Sequence, residues 1–284
     1  MPKPLQIKLE SLNTTIEAIA YGDANKPMIL ALHGWLDNTG SFATLAPELK
    51  DYYVICIDFP GHGLSQLPDN TGDFSMHLYM DVIAEIIPLL TEQPLILMGH
   101  SMGGAVASIY AAQNPDKVTK LILIDVLGPP SSDTTTANTS TATNATKMRA
   151  AALQASTKTY QNLDTMVAIR MRANHLTYEQ AKAMTARGAV KTNEGYQWRY
   201  DPKVASSDTF YFTENEVLTL LAKINCPVLI IAGKEGIFKG RDHYQQRLNT
   251  LENHQLEILE GRHHIHLEKT EQSFQLINHF LKIK

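Results

Sequence analysis

The chain has 284 residues, is 44% hydrophobic and 19% charged, and carries a net charge of -4. That length can bury a large core, as one domain or as one domain with an insertion. With no basic run longer than a pair, the composition disfavours a nucleic-acid partner. No apolar run approaches the roughly 20 residues that span a bilayer, so no membrane span is expected.

In chain order, Leu5 to Glu10 and Thr14 to Tyr21 alternate as an antiparallel hairpin at a sheet edge does. Met28 to Leu32 is a short continuous apolar run, the pattern of a buried parallel strand. It ends in His33-Gly34-Trp35, and a helix is expected from Ser41 to Leu49. Tyr53 to Ile57 is the next strand, closed by a Gly/Pro turn from Asp58 to Ser65. Ser75 to Leu90 reads as an amphipathic helix with Met76, Met80, Ile83 and Ile87 on one face. Pro94 to Met98 is a strand, Gly103 to Ala112 a helix stopped by Asn114-Pro115, and Lys120 to Asp125 a further strand. The alternation resumes with a strand at Pro227 to Ala232, a helix around Asp242 to Leu251, a strand at Gln255 to Leu259 and a last helix from Glu268 to Leu281.

This alternation predicts an α/β fold with a doubly wound, mostly parallel sheet. Residues 128–212 interrupt it. Ser131 to Thr146 is almost entirely Ser, Thr, Ala and Asn, with too little apolar area to offset its ordering entropy, and is expected to be mobile. Lys147 to Arg187 is helical in pattern and lacks strands. The predicted organisation is therefore a first half of the α/β core at 1–127, an inserted helical cap at 128–212, and the second half of the core at 213–284. Cys56 and Cys226 lie in apolar, strand-like runs, which predicts buried free thiols in a reducing, cytoplasmic setting. The opening Met1 to Lys8 has no apolar stretch of the secretory kind. The sequons at Asn13, Asn138 and Asn144 then read as accidents of composition.

Gly99-His100-Ser101-Met102-Gly103 falls between a strand and a helix. A turn this tight strains the serine backbone and lifts its Oγ clear of the sheet. The following helix offers free N–H groups to a developing oxyanion. Ser101 is the candidate nucleophile. A serine hydroxyl needs a base within hydrogen-bond reach, itself oriented by a third group. His263 is the candidate base because it lies earliest in the loop Gly261 to Glu268, nearest the strand end. His266 is expected to cap or pack at the helix start, and His33, His62 and His100, each flanking a glycine turn, to hold loops by side-chain hydrogen bonds. Three histidines in that one loop also fit a metal site, but no second carboxylate or cysteine cluster joins them, so no metal is expected. The oxyanion donors are expected to be the N–H groups of Met102 and Trp35, the residues assigned to substrate binding. For the acid, Asp125 closes a strand and Glu235 lies in the loop after another. Asp125 is the expected acid, because its strand should neighbour the one that carries Ser101.

His33-Gly34, Asp58 to Ser65, Gly99 to Gly104 and His263 to Glu268 together resemble the α/β-hydrolase superfamily over essentially the whole chain. More narrowly, His33 to Asn38, Ser41-Phe42, Leu123 to Pro129 and Trp198 to Pro202 resemble its serine hydrolase-like (Kraken-type) branch. The resemblance implies a serine nucleophile, a histidine base and hydrolase activity on a small-molecule substrate without a cofactor. The commoner pattern of the family places an Asp where this chain has Gly236. The expected function is cleavage of a small ester or thioester through an acyl-serine intermediate, as a carboxylesterase-like enzyme. Carbon–carbon bond hydrolysis or perhydrolysis with the same triad is one alternative, and a ligand-binding or signalling protein with a residual hydrolase site is the other. Nothing in the sequence bears on oligomeric state.

Overall fold

The structure, a computed structural model, describes residues 1–68, 75–131, 139–206, 212–239 and 243–283. The strands are β1 (Lys3–Leu9), β2 (Thr14–Tyr21), β3 (Met28–Leu32), β4 (Tyr53–Ile57), β5 (Leu95–His100), β6 (Val118–Ile124), β7 (Ala189–Thr192), β8 (Gly195–Trp198), β9 (Val228–Gly233) and β10 (His254–Leu259). The helices are α1 (Met76–Leu90), α2 (Met102–Gln113), α3 (Thr139–Ser156), α4 (Leu163–Asn174), α5 (Tyr178–Gly188), α6 (Pro202–Ser206), α7 (Glu214–Leu221), α8 (His243–Thr250), α9 (Ile265–Glu268) and α10 (Thr270–Lys282).

Eight strands form one sheet in the order β1-β2-β4-β3-β5-β6-β9-β10. β1 and β2 are an antiparallel hairpin, and β2 meets β4 antiparallel. Every other pairing in that sheet is parallel. The central strands are apolar on both faces because both faces are covered. Leu30, Leu32, Leu97 and Leu121 pack with α1, α2, α7 and α8 on one side. Ile29, Ala31, Met98 and Ile122 pack with Phe42, Leu45 and the α10 residues Ile277 and Phe280 on the other. Each fully buried Leu, Ile, Met or Phe side chain among these contributes about 1.5–3 kcal/mol.

Several expectations need correction. The helix expected from Ser41 to Leu49 is two short 3₁₀ turns, Thr39–Phe42 and Ala46–Glu48. Pro47 has no N–H to offer a continuous helix there. In α1 the buried stripe is Leu78, Tyr79, Val82, Ile83, Ile86 and Ile87, with Met76 and Met80 only half-buried at its flank. α7, ahead of β9, was not foreseen. The last helix starts as the single turn α9 and restarts as α10. Cys56 is buried as expected, but Cys226 is only half-buried; both are free.

Between β6 and β9 the chain leaves the sheet. Of the tract expected to be mobile, 132–138 lies outside the described residues, as does Asp242, while its second half, Thr139 to Thr146, is helical. From Thr139 onward the chain is already helical, eight residues ahead of the expected Lys147. The segment is also not purely helical, because β7 and β8 form a separate antiparallel hairpin. Its apolar residues form two small clusters, one of them closed by Leu267 of α9, and Val204 joins the main core. Met166, Trp198, Tyr160 and Tyr200 form one cluster, and Val167, Met171, Met184 and Leu267 another. Polar contacts tie it to loops at the strand ends: Asn38 Nδ2–H donates to Met184 O (2.8 Å), Trp35 Nε1–H to Val204 O (3.2 Å) and Arg187 Nε–H to Asp58 Oδ2 (2.8 Å). Among the described residues no helix is long and apolar enough to cross a membrane.

Arg247 of α8, 1% exposed, clamps the exit of β6. It donates to Leu127 O (2.7 Å) and Pro129 O (3.0 Å), and to both oxygens of Glu214 (2.7 Å each). Arg247→Met strands that carboxylate and those carbonyls. It is therefore expected to cost about 3–5 kcal/mol, read as a lower urea midpoint at unchanged slope. A loss below about 1 kcal/mol, the level of an exposed pair, would mean that the clamp carries no structural weight.

Candidate active site

The turn between β5 and α2 holds Ser101 at φ 50°, ψ −118°. A left-handed φ costs a non-glycine residue on the order of 1–3 kcal/mol, and it persists only where the surroundings fix it. Here they do: Ser101 N–H donates to Ile124 O (3.1 Å), while its carbonyl accepts from Gly104 and Ala105 N–H (3.0 Å each). The flanking glycines let the elements cross. A Cβ on Gly99 would lie 2.5 Å from the Gly103 carbonyl, and one on Gly103 would lie 2.1 Å from Leu32 O. The start of α2 is thereby pressed against the end of β3, next to the loop His33 to Trp35. Met102 is the first residue of α2, where helical N–H groups have no intrahelical partner.

Ser101 Oγ lies 2.9 Å from His263 Nε2, and His263 Nδ1 lies 2.7 Å from Asp125 Oδ2. The Nδ1 proton must face the carboxylate, which leaves Nε2 to accept from the serine hydroxyl. Asp125 is fully buried, and its ionised form is well supplied with donors. Gly233 N–H donates to Oδ1 (3.0 Å) and Ile237 N–H to Oδ2 (2.9 Å), in addition to the imidazole. Its own N–H donates to Ile231 O (2.7 Å), so the residue is held at the ends of two neighbouring strands. β6 is the immediate neighbour of β5. Gly236 gives Asp125 its room: a Cβ there would sit 2.2 Å from Asp125 Oδ1. Glu235 turns away and pairs with Lys239, with about half its side chain exposed. The His263 side chain is 40% exposed, so a substrate can reach it from one side.

Trp35 sits in the loop after β3. His33 Nδ1–H (2.7 Å) and Asp37 N–H (3.1 Å) both donate to the Gly34 carbonyl, and His33 Nε2 accepts from Phe59 N–H (2.9 Å). With the Gly34–Trp35 peptide fixed in this way, its trans N–H points opposite to that carbonyl. His62 Nδ1–H holds Pro60 O (3.0 Å). His266 Nε2 meets Ser41 Oγ (2.8 Å), and its ring lies against Phe42.

One group had no signal in sequence spacing. Asp37, 3% exposed, accepts from His264 Nε2–H (3.0 Å) and Arg170 Nη1–H (3.2 Å), and lies 3.5 Å from His100 Nδ1. Burial opposes its charge, but His264, His100 and Arg170 outweigh that and hold the carboxyl well below its usual range. The ligand atoms of Asp37, His100 and His264 lie within 4.8 Å of one another. Arg170 already neutralises that carboxylate, however, and a second cation would meet the guanidinium.

Burial pushes the imidazoles of His33 and His100 down to about 4 and that of His62 to about 3. Each is therefore neutral in the fold at pH 7. As pH falls from 6.5 towards 4 the unfolded chain binds protons that the fold refuses, so stability must fall with pH across that window. Each group contributes a slope of about 1 kcal/mol per pH unit. Calorimetric Tm is thus expected to drop steadily from pH 7 to 4.5; a flat profile over that range would contradict the buried, neutral state of these rings.

The model of the alpha/beta hydrolase fold family matches residues 27–270, and the chain belongs to that family. It is 31% identical to a probable serine hydrolase of Drosophila melanogaster, over 94% of this chain and 85% of that one. It is 26% identical to a serine hydrolase-like protein of Danio rerio, over 92% of this chain and 83% of that one. The crystal structure of a hypothetical protein from Pseudomonas aeruginosa matches with a TM-score of 0.85 at 26% identity, covering 99% of this chain and 100% of that chain. Within the family the chain stands in the serine hydrolase-like branch, and it is an enzyme of the α/β-hydrolase type.

Proposed function

We propose that this enzyme cleaves a small ester or thioester through an acyl-serine intermediate, with Ser101 as nucleophile, His263 as base and Asp125 as acid. The observation that carries the reading is the unbroken chain Ser101–His263–Asp125 at 2.9 and 2.7 Å. Ser101 Oγ attacks the carbonyl carbon while His263 Nε2 takes its proton. The N–H groups of Met102 and Trp35 hold the oxyanion; each such donor is typically worth about 10²–10³ in kcat. The tetrahedral species collapses, and His263 returns the proton to the departing alcohol or thiol. Water then attacks the acyl-serine by the same sequence in reverse roles. Asp125 keeps the Nδ1 proton in place and stabilises the imidazolium. None of these steps calls for a cofactor.

Residues 128–212 act as the cap of this site and carry its substrate preference. This is supported by the way Trp35 and Asp37, both in the loop after β3, bond to Val204 and Arg170 of that segment. The free thiols of Cys56 and Cys226 fit a reducing, cytoplasmic setting. A fluorophosphonate probe, followed by peptide mapping, tests the nucleophile. A panel of p-nitrophenyl esters of increasing acyl length tests the substrate class. Labelling at Ser101 alone and turnover of the short esters are expected. Protein that stays unlabelled after long incubation would remove the hydrolase reading.

A further inference from the structure

The loop that carries His263 is held from behind by the residue just before Ser101. His100 Nε2–H donates to the His263 carbonyl at 2.9 Å. Among the described residues that carbonyl receives no backbone N–H, because the helical bonds of α9 begin at His264 O, which accepts from Leu267 and Glu268. The His100 ring is 1% exposed and lies 4.8, 4.7 and 4.6 Å, centroid to centroid, from the rings of His263, His264 and His266. Among the described residues its Nδ1 has no hydrogen-bond partner; with the proton on Nε2 it presents a bare lone pair, 3.5 Å from Asp37 Oδ2. Asp37 is in turn pinned by Arg170 and by His264, the residue after the base.

We propose that His100 is a positioning residue that fixes the main chain of His263 so that its ring meets Ser101 and Asp125 at once. This rests on the serine-hydrolase reading above. An imidazole has only two side-chain torsions, so contacts of 2.9 and 2.7 Å from its two nitrogens hold together only if its Cα is correctly placed. A displacement of about 1 Å can cost about 10²-fold in rate. A side chain kept for packing alone would need no nitrogen aimed at that carbonyl. The location also demands a neutral donor, since a cation 4.8 Å from the His263 ring would oppose the imidazolium formed in turnover. Burial keeps His100 neutral, with its pKa pushed down to about 4.

The test compares His100→Leu and His100→Gln with wild type in p-nitrophenyl butyrate hydrolysis and in fluorophosphonate labelling of Ser101. Gln carries a side-chain N–H the same number of bonds from Cα as His Nε2, whereas Leu fills similar space with no donor. His100→Leu is expected to lower kcat and the maximal labelling rate by about 30–100-fold, with KM and the saturation constant of the probe within about threefold. His100→Gln is expected to recover to within about fivefold of wild type, on the same positional ground. Wild-type rates in His100→Leu, a folded His100→Gln as slow as Leu, or a loss confined to KM would each overturn the proposal. Should His100→Leu fail to fold, His100→Asn replaces it, because its amide is too short to reach the carbonyl; equal rates for Gln and Asn would then overturn it. Wild-type protein with no label on Ser101 would instead overturn the hydrolase reading, and this inference with it.

Discussion

Ser101→Ala is expected to lower kcat for any hydrolysed ester by about 10⁶-fold, the scale seen when the nucleophile of a working serine triad is removed. Loss of fluorophosphonate labelling should accompany it. The substitution should leave stability nearly untouched or slightly raised, because the strain at φ 50° belongs to the turn and the lost hydroxyl is half-exposed. The pairing of those two results matters. A loss of activity with a matching fall in Tm would point to a damaged elbow, and a Ser101→Ala enzyme that keeps more than a hundredth of wild-type turnover would move the chemistry elsewhere.

Asp125→Asn should cost about 10⁴-fold in kcat, because an amide there holds the imidazole in the wrong tautomer and no longer stabilises its charged form. Glu235→Gln should cost less than about tenfold, consistent with a residue outside the proton path. The geometry separates the two carboxylates: one is fully buried at 2.7 Å from His263 Nδ1, the other is half-exposed beside Lys239. Steady-state kinetics of both variants on one ester decide the assignment, and the reverse ranking would transfer the role to Glu235.

The strands Met28–Leu32 and Tyr53–Ile57 were legible to the residue. A continuous apolar run closed by a polar turn has few other ways to be buried. The candidate nucleophile Ser101 and candidate base His263, which the fold brings to 2.9 Å, were legible for a different reason, since a strained turn and a loop at a strand end each have a local composition. Asp125 needed one topological step, the adjacency of β5 and β6, which right-handed crossovers make common. What escaped the sequence is tertiary. Asp37 and His264 stand 227 positions apart, and only the folded sheet brings them to 3.0 Å. The stripe on α1 was legible only in part: Met76, Met80, Ile83 and Ile87 all face the core, but Leu78, Tyr79, Val82 and Ile86 widen the buried face, and periodicity alone did not set its width. The β7–β8 hairpin joins strands of four residues each through Asn193-Glu194, which carries no strong turn signal.

The missing side chain at Gly236 also bears on where the proposed acid of this site can stand. The space that a side chain at 236 would need is filled by the Asp125 carboxylate, 2.2 Å from where that Cβ would stand. A chain with acids at both positions would crowd two like charges into one volume, and a chain with neither would leave the imidazole without an orienting partner. On the proposed reading the two addresses are therefore alternatives, and adding an acid at 236 while Asp125 remains is expected to displace the carboxylate from His263 rather than to strengthen the site.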